Sequence, residues 1–231
     1  MPRVFIGVGH GGNDPGAVAN GLREADINLG MAIPMYDELL RHGVTVGISR
    51  TKDENDPLTE EIQEANAFGP DIAIDVHNNA GGGDGFEVYR QTNQYATKSL
   101  KLAEHLEARV KELGQNSRGV KTRLYNGADY FGWLRQVKCP AVLCEGAFVD
   151  NKTDVQIINT EEKQKAFGVA YAKAVLDYFG IAWKPETGSK VLYGVVGQKI
   201  ALSSREAAEE HARLLNAGTD GDYYKVIEIE R

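Results

Sequence analysis

The sequence predicts an α/β fold: a mostly parallel, twisted sheet flanked by helices on both faces, followed by a small C-terminal strand-helix-strand unit. Two observations predict the main domain. Short apolar runs alternate with amphipathic stretches of roughly 10 to 18 residues up to about residue 180, and strands separated by helices of that length pair in parallel with the helices laid over both faces. A third observation separates the end of the chain: "KPETGSK" (Lys184 to Lys190) brings Pro, Gly and Ser together and reads as a linker. The expected organisation is therefore a domain over 1–183, a linker over 184–190 and a unit over 191–231.

Taken in order, the expected strands are Val4 to Val8, Val44 to Ile48, Ile72 to Val76, Phe86 to Tyr89 and Ala141 to Cys144. Helical spacing marks Ala25 to Arg41, Leu58 to Phe68, Ala96 to Leu113 and Glu161 to Phe179. Pro34, inside the first of these, predicts a kink or a late start. After the linker come "VLYGVVG", a stretch with a Ser203/Glu206 capping box and a Gly218 stop, and "DYYKVIEIE". A unit of about 40 residues has too little core to stand alone, so it should dock on the main domain or pair with a copy of itself.

Composition bounds the function. A net charge of -7 and a pI near 5.3 leave no electrostatic footprint for nucleic acid or an anionic membrane. No apolar run approaches the roughly 18 residues of a membrane span, so no membrane insertion is expected. "RGVKTR" (Arg118, Lys121, Arg123) concentrates positive charge and reads as a solvated loop. Cys139 and Cys144 flank an extended segment and lie beyond disulfide reach, as free thiols of a reducing compartment. Met1-Pro2-Arg3-Val4 runs into a strand without the stretches of a secretory signal, which predicts cytoplasmic synthesis.

The chemistry gathers at one sheet edge. In open α/β sheets ligands collect beyond the carboxyl ends of the strands. His10, in "VGHGGNDPG", follows the first strand there; a phosphate-cradling loop would need a G-x-G-x-x-G or Lys-Ser/Thr pattern that is missing. The glycines instead clear space around His10 for a metal. His77 follows "DIAIDV" at the same edge and Glu145 follows "PAVLC". Glu24 lies near the start of the first helix, where the helix dipole also favours a carboxylate. A lone buried carboxylate such as Glu145 is costly unless paired, metal-bound or protonated. Two histidines and a glutamate with one open position form the ligand set of catalytic zinc sites. His42, His105 and His211 read as surface residues.

The blocks "FIGVGHGGNDPGAVANGLREADINL", "SRTKDEN", "EANAFGPDIAIDVHNNA", "GFEVY", "RGVK" and "PAVLCEGAFVDN" together resemble the zinc N-acetylmuramoyl-L-alanine amidases of the type-three amidase family, over about residues 3 to 180. The resemblance implies that His10, Glu24 and His77 hold one Zn2+ and that Glu145 is the catalytic carboxylate. It further implies hydrolysis of the amide between the lactyl carbonyl of N-acetylmuramic acid and L-alanine in bacterial peptidoglycan. Asn79, Arg118, Lys121 and Asn151 are candidates for holding the substrate's polar and carboxylate groups. Two positions depart from the family: Glu61 stands where members often carry arginine, and Asp75 where they carry serine. Asp75 should point away from Val76 and orient His77 from behind.

Lack of an export signal fits a phage or prophage endolysin that reaches the wall on host lysis. Residues 191–231 resemble half of a peptidoglycan-binding SPOR-type module, which implies wall targeting or a homodimer. Two other functions use the same residues: a non-catalytic peptidoglycan-binding module, and a zinc peptidase or deacetylase. Glu145 discriminates against the first, since a binder needs no carboxylate there.

Overall fold

The structure is a computed structural model that describes residues 1–185 together with the backbone of three short strands near the C-terminal end. In chain order the main domain runs β1 (Arg3–Val8), β2 (Val18–Ala19), β3 (Leu22–Arg23), α1 (Glu24–Arg41), β4 (Thr45–Ile48), α2 (Leu58–Phe68), β5 (Ile72–Asn79) and β6 (Phe86–Arg90). It continues with α3 (Ala96–Lys111), β7 (Ser117–Lys121), β8 (Leu124–Tyr125), β9 (Ala128–Asp129), α4 (Gly132–Gln136), β10 (Ala141–Phe148), α5 (Lys152–Ile158) and α6 (Glu161–Phe179). Six strands form one sheet in the order β4-β1-β5-β10-β6-β7. All its pairings are parallel except β10 with β6. The mostly parallel sheet is therefore as the sequence predicts.

Strand alternation sends side chains to two separate cores. Val4, Ile6 and Val8 of β1, Ile72, Ile74 and Val76 of β5, and Val142 and Cys144 of β10 face the larger one, with Met31, Met35 and Leu39 of α1 and Tyr171 and Val175 of α6. Phe5, Ala73, Ala141 and Leu143 face the smaller one, with Ile62 and Ala65 of α2 and Trp133 and Leu134 of α4. Helices thus cover both faces. Both cysteines are buried free thiols.

Several expectations are corrected. β5 and β10 run past Val76 and Cys144, because they pair onward through Glu145↔His77 and, after a register shift, Phe148↔Asn79. His77 and Glu145 therefore stand on strands, not in the loops after them. "RGVK" is not a free loop but the edge strand β7, paired to β6. His42 is buried: its Nδ1 lies 2.6 Å from the Glu38 carbonyl, its Nε2 accepts the Lys184 N–H at 2.9 Å, and its ring stacks on Trp183 at 4.6 Å. His105 is half-buried, its ring edge-on to Tyr178. α1 passes through Pro34 without a late start.

Near the C-terminal end β11 (Leu192–Val195) pairs antiparallel with both β12 (Ala201–Leu202) and β13 (Val226–Ile229). The two expected strands correspond to β11 and β13. The expected helix with its Ser203/Glu206 box, His211 and most of the linker lie outside the described residues. No helix among the described residues is long and apolar enough to cross a membrane.

α1 and α6 approach closely at Gly168, where an added Cβ would lie 2.2 Å from the Met31 carbonyl oxygen and 3.0 Å from the Met35 nitrogen. Both obstacles are backbone, so no side-chain rotation relieves them. Gly168→Ala should cost about 2 kcal/mol or more, read as a lower urea midpoint; an unchanged midpoint would contradict this packing.

Candidate active site

Four elements deliver the site. β1 ends at Val8 and the chain turns sharply, with His10 itself at φ 65°, a left-handed conformation that costs a non-glycine residue energy and is found at functional sites. Arg50 holds this turn. Its buried guanidinium donates to the carbonyls of Val8, Gly9 and Ala25, tying β1 to the start of α1. Asn28 Nδ2 adds a bond to the Gly9 carbonyl at 2.9 Å. Glu24 opens α1, and β5 and β10 carry His77 and Glu145 as register neighbours on one face of the sheet.

The sequence-predicted ligands meet. Glu24 Oε1 lies 3.2 Å from His10 Nε2 and 3.1 Å from His77 Nδ1. One donor atom from each of the three lies within 4.8 Å of the others. The outward nitrogens are held by carboxylates: His10 Nδ1 by Asp14 at 2.8 Å and His77 Nε2 by Asp75 at 3.3 Å. Such partners fix the tautomer of a metal-ligating imidazole. Two imidazoles and a carboxylate, oriented from behind and converging on one point, fit a zinc ion in number and in kind of donor.

Glycines make room for this convergence. A Cβ at Gly9 would stand 2.1 Å from the His77 ring, and one at Gly16 would stand 2.7 Å from both His10 Cδ2 and Glu24 Oε2. The loop's poverty in side chains is the space the ligands occupy.

Electrostatics follow the same lines. Burial works against ionising Glu24, yet hydrogen bonds from His10 and His77 overcome it and hold the carboxyl well below its usual range. Ala17 and Asn78 also donate backbone N–H groups to it. Burial would discharge His77, but Asp75 and Glu24 raise its pKa well above the ordinary imidazole value. Glu145 borders the cavity with a buried Oε2 that has no hydrogen-bond partner. Burial, which His77 opposes in part, pushes its carboxyl up to about 8.

The cavity beside these groups measures about 820 Å³. Asn79 lines it. Arg118 and Lys121 stand nearby but both bind Glu87, the register neighbour of Glu145 on β6. Asn151 lies elsewhere: it caps α5, accepting from Thr153 and Asp154, and donates to the Gly83 carbonyl. Asp14 and Arg50 were not among the residues singled out from sequence. Asp14 had a signal, an acid four residues after the histidine of the loop; Arg50 acts only through backbone carbonyls and had none.

Residues 4–177 match the family described as N-acetylmuramoyl-L-alanine amidase. The chain is 35% identical over 198 residues to the N-acetylmuramoyl-L-alanine amidase CwlM of Bacillus licheniformis, covering 84% of this chain and 74% of that protein. It is 32% identical over 188 residues to the endolysin of Bacillus phage SPP1, covering 78% and 67%. Among solved structures, the N-acetylmuramoyl-L-alanine amidase of Clostridium difficile 630 superposes with a TM-score of 0.70 at 27% identity, covering 78% of this chain and 97% of that one.

The raised groups, His10, His77 and Glu145, contribute stability that is complete below their unfolded pKa, about 4.3 for glutamate and 6.5 for histidine, and is lost as pH rises through the folded values. The metal-free chain should therefore melt at a lower temperature at about pH 8 than at about pH 5.5. Zinc acts in the opposite sense, because it needs deprotonated ligands. Its stabilising shift in melting temperature should grow over the same interval, and an equal shift at both pH values would contradict the ligand set.

Proposed function

The chain belongs to the N-acetylmuramoyl-L-alanine amidase family, and from that premise we propose how its residues divide the work of hydrolysing the amide between N-acetylmuramic acid and L-alanine in peptidoglycan. His10, Glu24 and His77 hold one zinc ion per chain. When bound, that ion supplies Lewis acidity towards the scissile carbonyl and the attacking water. Asp14 and Asp75 keep the two imidazoles turned inward. The observation that carries the reading is Glu24 Oε1 placed between His10 Nε2 and His77 Nδ1, with Glu145 beside His77 in register.

Glu145 is the acid-base group. It takes a proton from the attacking water and delivers it to the departing amine nitrogen of L-alanine. Burial pushes its carboxyl up to about 8; a divalent ion held by the three ligands would favour the ionised form that accepts the proton. We assign Asn79, which lines the cavity, to the substrate's polar groups, whereas Arg118 and Lys121 are engaged by Glu87. A buried, unpartnered carboxyl over the ligands also argues against a module that only binds the wall. Residues 191–231 we assign to pairing of two chains, on their similarity to half of a SPOR-type module. Light scattering that gives a monomer, unchanged on deleting 191–231, would remove that assignment.

Digested cell walls should show new N-terminal L-alanine and intact glycan chains by mass spectrometry, which a peptidase or deacetylase would not produce. Glu145→Ala should keep its zinc and lose about 100-fold or more in turnover, whereas His77→Ala should lose both. Equal zinc occupancy in the two variants would contradict these roles.

A further inference from the structure

The described residues expose six large hydrophobic side chains, and three of them, Leu124 (56% exposed), Tyr125 (68%) and Tyr130 (44%), belong to one β-hairpin and the residue after it. β8 and β9 form that hairpin around Asn126 and Gly127, at φ 50° and 79°, the left-handed pair of a tight two-residue turn. It is braced at its base. Tyr130 N–H donates to the Arg123 carbonyl, the buried Asp129 carboxylate accepts from Thr92 N and Oγ1, and Arg135 donates to the carbonyls of Asp129 and Tyr130. An apolar tip on so rigid a mount is not explained by packing, since nothing among the described residues covers it.

The hairpin is continuous with the catalytic cavity through a ladder of rings. Tyr89 donates its hydroxyl to Glu87, the register neighbour of Glu145, and its ring meets Phe131 at 4.8 Å. Phe131 lines the cavity and meets Tyr130 edge-on at 5.2 Å; the Arg123 guanidinium closes the outer end 3.8 Å above the Tyr130 ring. The rings thus lead from beside the acid-base residue to Tyr130 at the base of the hairpin, on the face that Tyr125 shares by strand alternation.

We propose that this ladder and hairpin form a platform for the sugar rings of the glycan strand next to the cleaved amide. The inference rests on the amidase reading and names a part of the substrate within it. A pyranose presents C–H groups on its ring faces and hydroxyls on its rim. It therefore fits an apolar and aromatic surface edged by the polar groups of Arg123 and Asn126. The stem peptide carries ionic groups, whereas Arg123 is seated on Tyr130 and Arg135 on the carbonyls of Asp129 and Tyr130. The sugar face is the better match.

The test needs no turnover. Binding of peptide-free glycan oligomers and of free stem peptide is measured by calorimetry for the full chain, for Leu124→Ser/Tyr125→Ser and for Tyr125→Phe, with melting curves confirming that all three fold. Glycan affinity should fall about 10-fold or more in the double variant and hold within twofold in Tyr125→Phe, while stem-peptide affinity stays the same throughout. Equal glycan affinity in the parent and double variant, or a loss confined to the stem peptide, would overturn the platform. Failure of the amidase reading shows separately, as parent protein that releases no N-terminal L-alanine from walls.

Discussion

A carboxylate buried between two imidazoles governs the architecture of this domain. Glu24 cannot sit where it does unless three separate pieces of chain arrive together: the turn after β1, the first residue of α1 and the far end of β5. Taking a carboxylate out of water is costly unless hydrogen bonds or charges replace its hydration. Here the replacement comes from His10, His77 and the N–H groups of Ala17 and Asn78. Arg50 secures the assembly by satisfying carbonyls at the end of β1 and the start of α1. The geometry is consequently held by the protein's own hydrogen bonds.

Charge around the cavity is strongly acidic on the face of the sheet covered by α2 and α4. Besides Glu145, that side carries Asp75 and the buried Glu61. Burial and the nearby Asp75 raise the Glu61 carboxyl well above its ordinary value. Both oxygens crowd the same spot: a Cβ at Gly7 would stand 2.7 Å from Glu61 Oε1 and 2.9 Å from Asp75 Oδ1. Glu87 is treated differently, its carboxyl held below the usual range because Lys121, Arg118 and Tyr89 outweigh its burial. One face therefore gathers two carboxyls that burial raises, Glu61 and Glu145, beside Glu87, which its cations hold below the usual range.

Much of this was legible in the sequence, and what was not has physical causes. The helices over Leu58–Phe68 and Glu161–Phe179 match their expected bounds because each amphipathic pattern ends at a glycine, Gly69 and Gly180, both left-handed in the structure. His10, Glu24, His77 and Glu145 were found through strand ends and polar residues placed where no core needs them. Strand ends themselves were misjudged: polarity at His77 and Glu145 reads as a loop, whereas a neighbouring strand that extends equally far keeps both in the ladder. β7 was hidden because its charge suggests solvent, while its cations are spoken for by Glu87. The β8–β9 hairpin and α4 are too short to leave a periodic signal. His42 deceived because its partners, Trp183 and the Lys184 N–H, are more than 140 positions away.

The most direct test of the zinc centre is anomalous diffraction at the zinc absorption edge from crystals of the full chain grown with zinc. The account predicts one anomalous peak bonded to His10 Nε2, Glu24 Oε1 and His77 Nδ1, with Glu145 facing it across the cavity. A peak on other residues, or three ligands that stay empty at saturating zinc, would contradict it.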